Sequence, residues 1–182
     1  TDLEDFIQTH GAGEVISFTP NIYTYICIFE DKLGFNGLDK KYVINYSDRE
    51  IVESTSGIKN DIARVCLDHY DIGPVTAWFT CDLYSAGSGL AASSSYVNAF
   101  VKALSIYRKE KMSPLEIGKI GLFLERKFNP MTGYQDPYGC ALGGLKHMIF
   151  PKGESPIVEN LDDDLLKDFQ MFLVHTGVKR VS

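Results

Sequence analysis

The stretch VTAWFTCDLYSAGSGLAASSSYVNAFVKALSIYRKE, residues 75–110, contains a strand, a glycine- and serine-rich loop and a helix in direct succession. Its first nine residues are rich in β-branched and aromatic side chains, which predicts a strand. Further on, Val97, Phe100, Val101 and Leu104 recur at the spacing of one helical face. We therefore expect a helix that follows the strand through a short loop and packs its apolar face on a sheet.

The elements on either side of this stretch predict one α+β domain over residues 1–182. Thr1 and Glu4 have the spacing of a capping box, which predicts a helix to about residue 10, and Ser113 and Glu116 predict another that runs to residue 128. Residues 58–70 have helical periodicity, and the pattern at 162–169 predicts a brief helix. Strands are predicted at 14–19, 22–30, 41–47, 144–150, 156–161 and 171–177, with a hairpin turn at 33–39.

Composition excludes several classes of protein. The chain has 182 residues, 45% of them hydrophobic, and a formal net charge of -6, and its Lys and Arg residues form no stripe suited to nucleic acid. No apolar run approaches the ~20 residues that span a bilayer, and no signal peptide is recognised. Four cysteines without a CxxC pair, and four histidines without zinc-binding spacing, favour a reducing cytoplasmic setting and no transition metal.

The loop at Gly87–Ser95 has the properties of an anion site. Its glycines allow a tight turn, and the first amides of the following helix have no acceptor within the helix. Those amides and the helix dipole favour a phosphate, although small residues here could instead serve close packing. A Walker A loop needs a lysine that is absent, a dinucleotide motif lacks its later acidic residue, and a nucleophile elbow would need glycine where Ala86 stands.

The loop resembles the second motif of the GHMP kinases, approximately P-x-x-x-G-L-G-S-S-A. Gly89-Leu90 and Ser93-Ser94 match it, whereas Ala91 and Ala92 replace the usual glycine and first serine. The segment GYQDPYGCALGG, residues 133–144, is similar to GKQDQYAAAYGG of the heptose-phosphate kinases in that family. The first 28 residues look like the region after the family's GGGTD turn, and similarity continues through residues 159–180.

This resemblance implies a fold, a reaction and a set of site residues. The fold is the GHMP kinase N-terminal domain, ribosomal protein S5 domain 2-like, with a mixed sheet and helices on one face. The reaction is ATP-dependent phosphorylation of a sugar or sugar phosphate, heptose phosphate or fucose-like. The implied residues are Asp136 for catalysis; Gly87, Ser88, Gly89, Leu90, Ala91, Ala92, Ser93 and Ser94 for ATP; Ser93, Ser94 and Glu125 for Mg²⁺; and Asp2, Gly133, Gln135 and Tyr138 for the sugar.

Each carboxylate also has a simpler interpretation. Asp136 followed by Pro137 is a good helix N-cap. Glu125 could lie on a solvated helix face. Asp2 could stabilise the first helix by the interaction of its negative charge with the helix dipole. The family's usual first strand, with its basic residue, and its C-terminal domain are not in these 182 residues. The alternative function is therefore a truncated or degenerate kinase-like module that binds nucleotide without catalysis or self-associates, for example as a homodimer.

Overall fold

A computed structural model describes residues 1–34, 37–82, 89–172 and 174. The helices are α1 (Glu4–His10), α2 (Asp61–His69), α3 (Ala92–Tyr107), α4 (Pro114–Glu125) and α5 (Gln135–Leu142), with 3₁₀ turns at Thr55–Gly57 and Asp163–Leu166. The strands are β1 (Ala12–Phe18), β2 (Thr24–Phe29), β3 (Tyr42–Asn45), β4 (Arg49–Val52), β5 (Thr76–Cys81), β6 (Leu145–Pro151) and β7 (Ile157–Asn160). The strand predicted at 171–177 falls mostly outside the described residues.

The predicted α+β class with a mixed sheet is confirmed, and the described strands divide into two sheets. One sheet has the antiparallel order β1-β6-β7, and the other has the order β2-β5-β3-β4, with β3 and β5 parallel. The hairpin expected across residues 33–39 is wrong, because β5 pairs with both β2 and β3 and so separates them. A hairpin forms instead between β3 and β4, where Tyr46 N–H donates to the carbonyl of Asp48.

Helix α3 lies at the centre of the larger core. The predicted stripe of Val97, Phe100, Val101 and Leu104 is fully buried, at 0% exposure, against α2, α4 and the four-stranded sheet. Each such side chain contributes roughly 1.5–3 kcal/mol when it leaves water. A smaller core lies between α5 and the three-stranded sheet and contains Ile7, Leu122, Tyr138, Met148 and Phe150.

The two predicted capping boxes have different outcomes. Ser113 and Glu116 form theirs at the start of α4, as expected. The one at Thr1 and Glu4 is wrong, because α1 begins at Glu4 and its N-cap has no side-chain hydrogen bond. The Glu4 carboxylate accepts hydrogen bonds from Arg126 and from the Tyr134 hydroxyl instead, and the bond from the guanidinium is a strong, charge-assisted one.

Two glycines let α4 lie close to both neighbouring helices. A Cβ atom at Gly118 would stand 2.9 Å from Cδ1 of Tyr138 on α5, and one at Gly121 would overlap Oδ1 of Asn98 on α3. Asn98 cannot move away freely, because its Nδ2 donates to the carbonyl of Pro137 at 2.7 Å. None of the helices that the structure describes has the length and hydropathy required to cross a bilayer.

We expect Gly121→Ala to destabilise the domain. The new methyl group overpacks the α3–α4 contact at a cost of about 1–3 kcal/mol, more than the gain of about 1 kcal/mol in helix propensity. Gly73→Ala is the matched control, because a Cβ there meets nothing within 4 Å, and it should change stability by less than about 0.5 kcal/mol. Urea unfolding measures the stability of both variants. Equal stabilities would contradict the close approach of α3 and α4 at Gly121.

Candidate active site

A cavity of about 700 Å³ lies where the start of α3, the first turns of α5 and the β1–β2 connection meet. Gly89, Leu90, Ala91 and Ala92 line one side, and Asp136 lines another. Two sequence motifs that are more than forty residues apart along the chain therefore face one space. Gly87 and Ser88, the other residues predicted for the loop, lie outside the described residues.

The start of α3 presents backbone donors at this cavity. The first hydrogen bond within the helix runs from Ser95 N–H to the carbonyl of Ala91 at 2.9 Å, so the amides of Ala92, Ser93 and Ser94 precede any helical acceptor. The N-cap, Ala91, makes no side-chain cap bond. In a helix of 16 residues, the dipole adds roughly half a positive charge at this end. An anion in the cavity would be favoured here.

Ala91 has a left-handed backbone conformation, with φ 55° and ψ 30°. An L-residue with a Cβ adopts this region at a cost of roughly 1–2 kcal/mol, which glycine does not incur. The sequence thus has alanine at a position whose geometry suits glycine.

Glu125, at the end of α4, has a buried carboxylate. Its hydrogen bond with α3 joins the two helices. Glu125 is 3% exposed, and the hydroxyl of Ser94, itself 2% exposed, donates to Glu125 Oε2 at 2.5 Å. Burial raises the pKa of the Glu125 carboxyl above its ordinary value, hydrogen bonds from Ser94 and Ser93 oppose that rise, and the nearby charge of Asp136 adds to it. The interpretation of Glu125 as part of a solvated helix face is therefore wrong.

Asp136 lies inside the first turn of α5 and not at its N-cap, which is Tyr134. The helix is capped by a distant residue: Asp2 Oδ2 accepts from the backbone N–H of Gln135 at 2.9 Å, and the Asp2 carbonyl accepts from that of Tyr134 at 3.1 Å. A Cβ at Gly133 would overlap Asp2 Oδ2, so glycine permits this approach. The N-cap interpretation of Asp136 is therefore wrong, and its exposed side chain lines the cavity.

The sequence model described as GHMP kinases N terminal domain matches residues 58–144. These residues therefore resemble the N-terminal domain of the GHMP kinases. The segment runs from just before α2 to the end of α5, so it contains the start of α3, Glu125 and Asp136.

Relatives with known names cover a larger part of the chain. The D-glycero-alpha-D-manno-heptose 7-phosphate kinase of Campylobacter jejuni is 26% identical over 171 residues, which is 88% of this chain and 49% of that protein. The crystal structure of a D-glycero-D-manno-heptose 1-phosphate kinase from Bacteriodes thetaiotaomicron superposes with a TM-score of 0.73 at 23% identity, over 88% of this chain and 55% of that one. The Methanococcus jannaschii mevalonate kinase does so with a TM-score of 0.59 at 16% identity, over 91% and 55%.

These structural similarities show that the chain has the fold of a GHMP kinase N-terminal domain. They also show that the chain spans about half the length of the relatives it matches.

Within this fold, the four residues predicted to bind the sugar lie in different places. Gln135 lines the cavity beside Asp136. Tyr138 is 3% exposed and packs in the smaller core against Phe150, with ring centroids 5.9 Å apart. Asp2 and Gly133 contact each other at the start of α5. Among the described residues, the structure thus places Gln135 alone of the four in the cavity wall.

The wall of the cavity includes residues that sequence reasoning missed. Thr19, Asn98 and Lys102 line it, and Lys146 lies directly behind it, hydrogen-bonded to Thr19. A signal for Lys146 was present in the sequence, because it is two residues before Met148 and four before Phe150 in an alternating strand. That spacing puts the lysine on the buried face.

We expect Ala91→Gly to stabilise the domain by up to about 1 kcal/mol, because glycine adopts the left-handed conformation without strain. The greater conformational entropy of glycine in the unfolded chain offsets part of this gain. Ala103→Gly, in the interior of α3, is the matched control and should instead lower stability by about 1 kcal/mol. Chemical denaturation of the two variants checks this. Equal losses at the two positions would show that Ala91 is not left-handed.

Glu125→Gln should change the pH dependence of stability. A carboxyl whose folded pKa lies above its unfolded value favours folding at low pH, and this contribution is lost as the pH rises through the folded pKa. Since glutamine does not ionise, the variant should resist urea better than the wild type near pH 8, with a difference that narrows below about pH 4.5. Exposed Glu154→Gln controls for net charge, and identical pH profiles for all three proteins would contradict the burial effect.

Proposed function

We propose that the protein to which this chain belongs transfers a phosphoryl group from ATP to a hydroxyl of a sugar or sugar phosphate. The observation that carries the proposal is that the first turn of α3, whose N-cap Ala91 makes no side-chain cap bond, and the Asp136 carboxylate face one cavity. Phosphoryl transfer asks a protein chiefly to position its reactants and to offset the charge of the phosphate. One side of this cavity suits the anion, and the other offers an acceptor for the hydroxyl proton.

In this proposal, the phosphates of ATP lie against the start of α3. Backbone amides of the first turn donate to the phosphate oxygens, Gly89 allows the chain to approach them closely, and Leu90 lines the same wall. Gly87 and Ser88 complete the loop as a prediction from the sequence. Lys102 lines the same cavity farther along α3 and adds a positive charge to its wall.

Mg²⁺ fits the oxygen donors at the junction of α3 and α4. Glu125 and the hydroxyls of Ser93 and Ser94 would hold it, since Mg²⁺ is commonly bound by one or two carboxylates together with substrate phosphates. The Glu125 carboxylate is buried with hydroxyl partners, and a cation there would offset its charge. When bound, Mg²⁺ supplies positive charge that neutralises the transferring phosphate.

Asp136 acts on the acceptor substrate. An ionised carboxylate has only acceptor lone pairs, so it can orient a sugar hydroxyl and take its proton as the new bond to phosphorus forms. Gln135, its neighbour in the cavity wall, can hydrogen-bond to a second hydroxyl of the same sugar. Asp2, Gly133 and Tyr138 hold α5 in place around these two residues.

The names of the relatives favour a sugar phosphate as the acceptor, because two of them are heptose phosphate kinases. A cytoplasmic location agrees with four cysteines that form no disulfide with one another. The second candidate function is a non-catalytic module that binds nucleotide or self-associates. Ala92 favours that function, since it lines the cavity where the family usually supplies a hydroxyl.

The test is ATP-dependent phosphorylation of a panel of sugars and sugar phosphates by the full-length protein. Asp136→Asn should lower kcat by about 10²–10⁴-fold, because an amide cannot accept the hydroxyl proton, while the KM for ATP stays nearly constant. Asp5→Asn, an exposed change on α1, is the matched control and should retain activity. Undiminished kcat in Asp136→Asn would overturn the mechanism, and ATP binding without turnover of any acceptor would favour the non-catalytic module.

A further inference from the structure

Lys146 on β6 is a fully buried lysine, with 0% exposure, and no other lysine among the described residues is buried. Lysines are almost never buried without partners, because moving an ammonium group out of water is costly. The neighbours of Lys146 therefore indicate what the charge is for.

The ammonium group is connected to the helix that carries Asp136. Lys146 Nζ donates to the carbonyl of Gly144 at 2.8 Å and to Oγ1 of Thr19 at 3.2 Å. The Thr19 hydroxyl in turn donates to the carbonyl of Gly139 at 3.0 Å. Gly139 lies on α5 three residues after Asp136, so two hydrogen bonds in series join the buried charge to this helix. Hydrogen bonds in such a chain strengthen one another.

The position of the charge also matches the dipole of α5. The helix has eight residues, too few to be stable without tertiary contacts. The Asp2 carboxylate caps its N-terminal end, and Lys146 lies at its C-terminal end, where a cation is favoured. The side chain of Asn98 holds α5 at a third place, because its Nδ2 donates a hydrogen bond to the Pro137 carbonyl.

The charge of Lys146 acts on a residue that lines the cavity. Cys140 lies one turn after Asp136 and lines the cavity. Burial, with smaller contributions from the charges of Asp136 and Glu125, raises the pKa of the Cys140 thiol to about 12, and the charge of Lys146 opposes this rise. The lysine thus offsets part of the negative charge that the two carboxylates place in this space.

We propose that Lys146 is a positioning residue for phosphoryl transfer, which acts through Thr19 and Gly139 to fix α5 and so to hold the Asp136 carboxylate toward the acceptor hydroxyl. This inference rests on the proposed function. A purely structural lysine would support the helix end without affecting turnover by the folded protein, and the two roles predict different kinetics.

The kinetic test uses Lys146→Met, Thr19→Val and Thr19→Ser in the full-length protein. Lys146→Met and Thr19→Val should lower kcat about 10–100-fold, as a small misplacement of a reacting group does, while the KM for ATP changes less than about threefold because the start of α3 is untouched. Thr19→Ser keeps the hydroxyl and should restore kcat. Lys152→Met removes the same charge at an exposed site and is the control.

Thr19→Val keeps the lysine and nearly the same volume, so it decides the question if Lys146→Met does not fold. Wild-type kcat in folded Thr19→Val, or equal kcat in Thr19→Val and Thr19→Ser, would overturn the proposal. An equal loss in the affinity for ATP would overturn it as well, because the effect would then not be confined to α5.

Hydrogen exchange separates this inference from the proposed function. The amide of Gly143 donates to the Gly139 carbonyl at 3.2 Å and reports on the last turn of α5. It should exchange at least about tenfold faster in Thr19→Val than in Thr19→Ser. Equal exchange rates would reject the connection whatever the activity, whereas faster exchange in a protein that phosphorylates no acceptor would reject the kinase function and leave the connection to α5 standing.

Discussion

The burial of α3 is the constraint on which the rest of the structure depends. Four side chains on one face of this helix have no exposure to solvent, and they pack against α2, α4 and the four-stranded sheet. Because the helix cannot shift without exposing them, its first turn is held in the wall of the cavity. Helix α4 then packs on α3 through Gly121, and α5 is joined to α3 by Asn98, so both carboxylates take their places relative to that first turn.

The site combines two buried charges that a core chosen for stability alone would not contain. Glu125 is held by serine hydroxyls at the junction of α3 and α4, and Lys146 is held by Thr19 and a backbone carbonyl behind α5. Burying each charge opposes folding, and the hydrogen bonds recover only part of that cost. Proteins commonly accept such costs at functional sites.

Local signals predicted the elements well, and the errors arose where distant residues compete with local ones. The stripe of α3 and the capping box of α4 depend on residues within one or two turns, and both are present. The capping box at Thr1 failed because Glu4 finds partners on Arg126 and Tyr134, which are 122 and 130 residues away. The prediction of a hairpin at 33–39 failed for the same reason, since β5, which is distant along the chain, lies between β2 and β3 and pairs with both.

The sequence by itself determined helices α1 to α4, most of the strands and the glycine- and serine-rich entrance of α3, because these follow from side-chain periodicity and from backbone groups that are neighbours along the chain. It also singled out Glu125 and Asp136. Only the tertiary structure decided that Glu125 is buried, that Asp2 caps α5 and that Lys146 supports that helix through Thr19. Those contacts join residues that are 31 to 133 positions apart, and no local pattern encodes which distant side chain will complete a hydrogen bond.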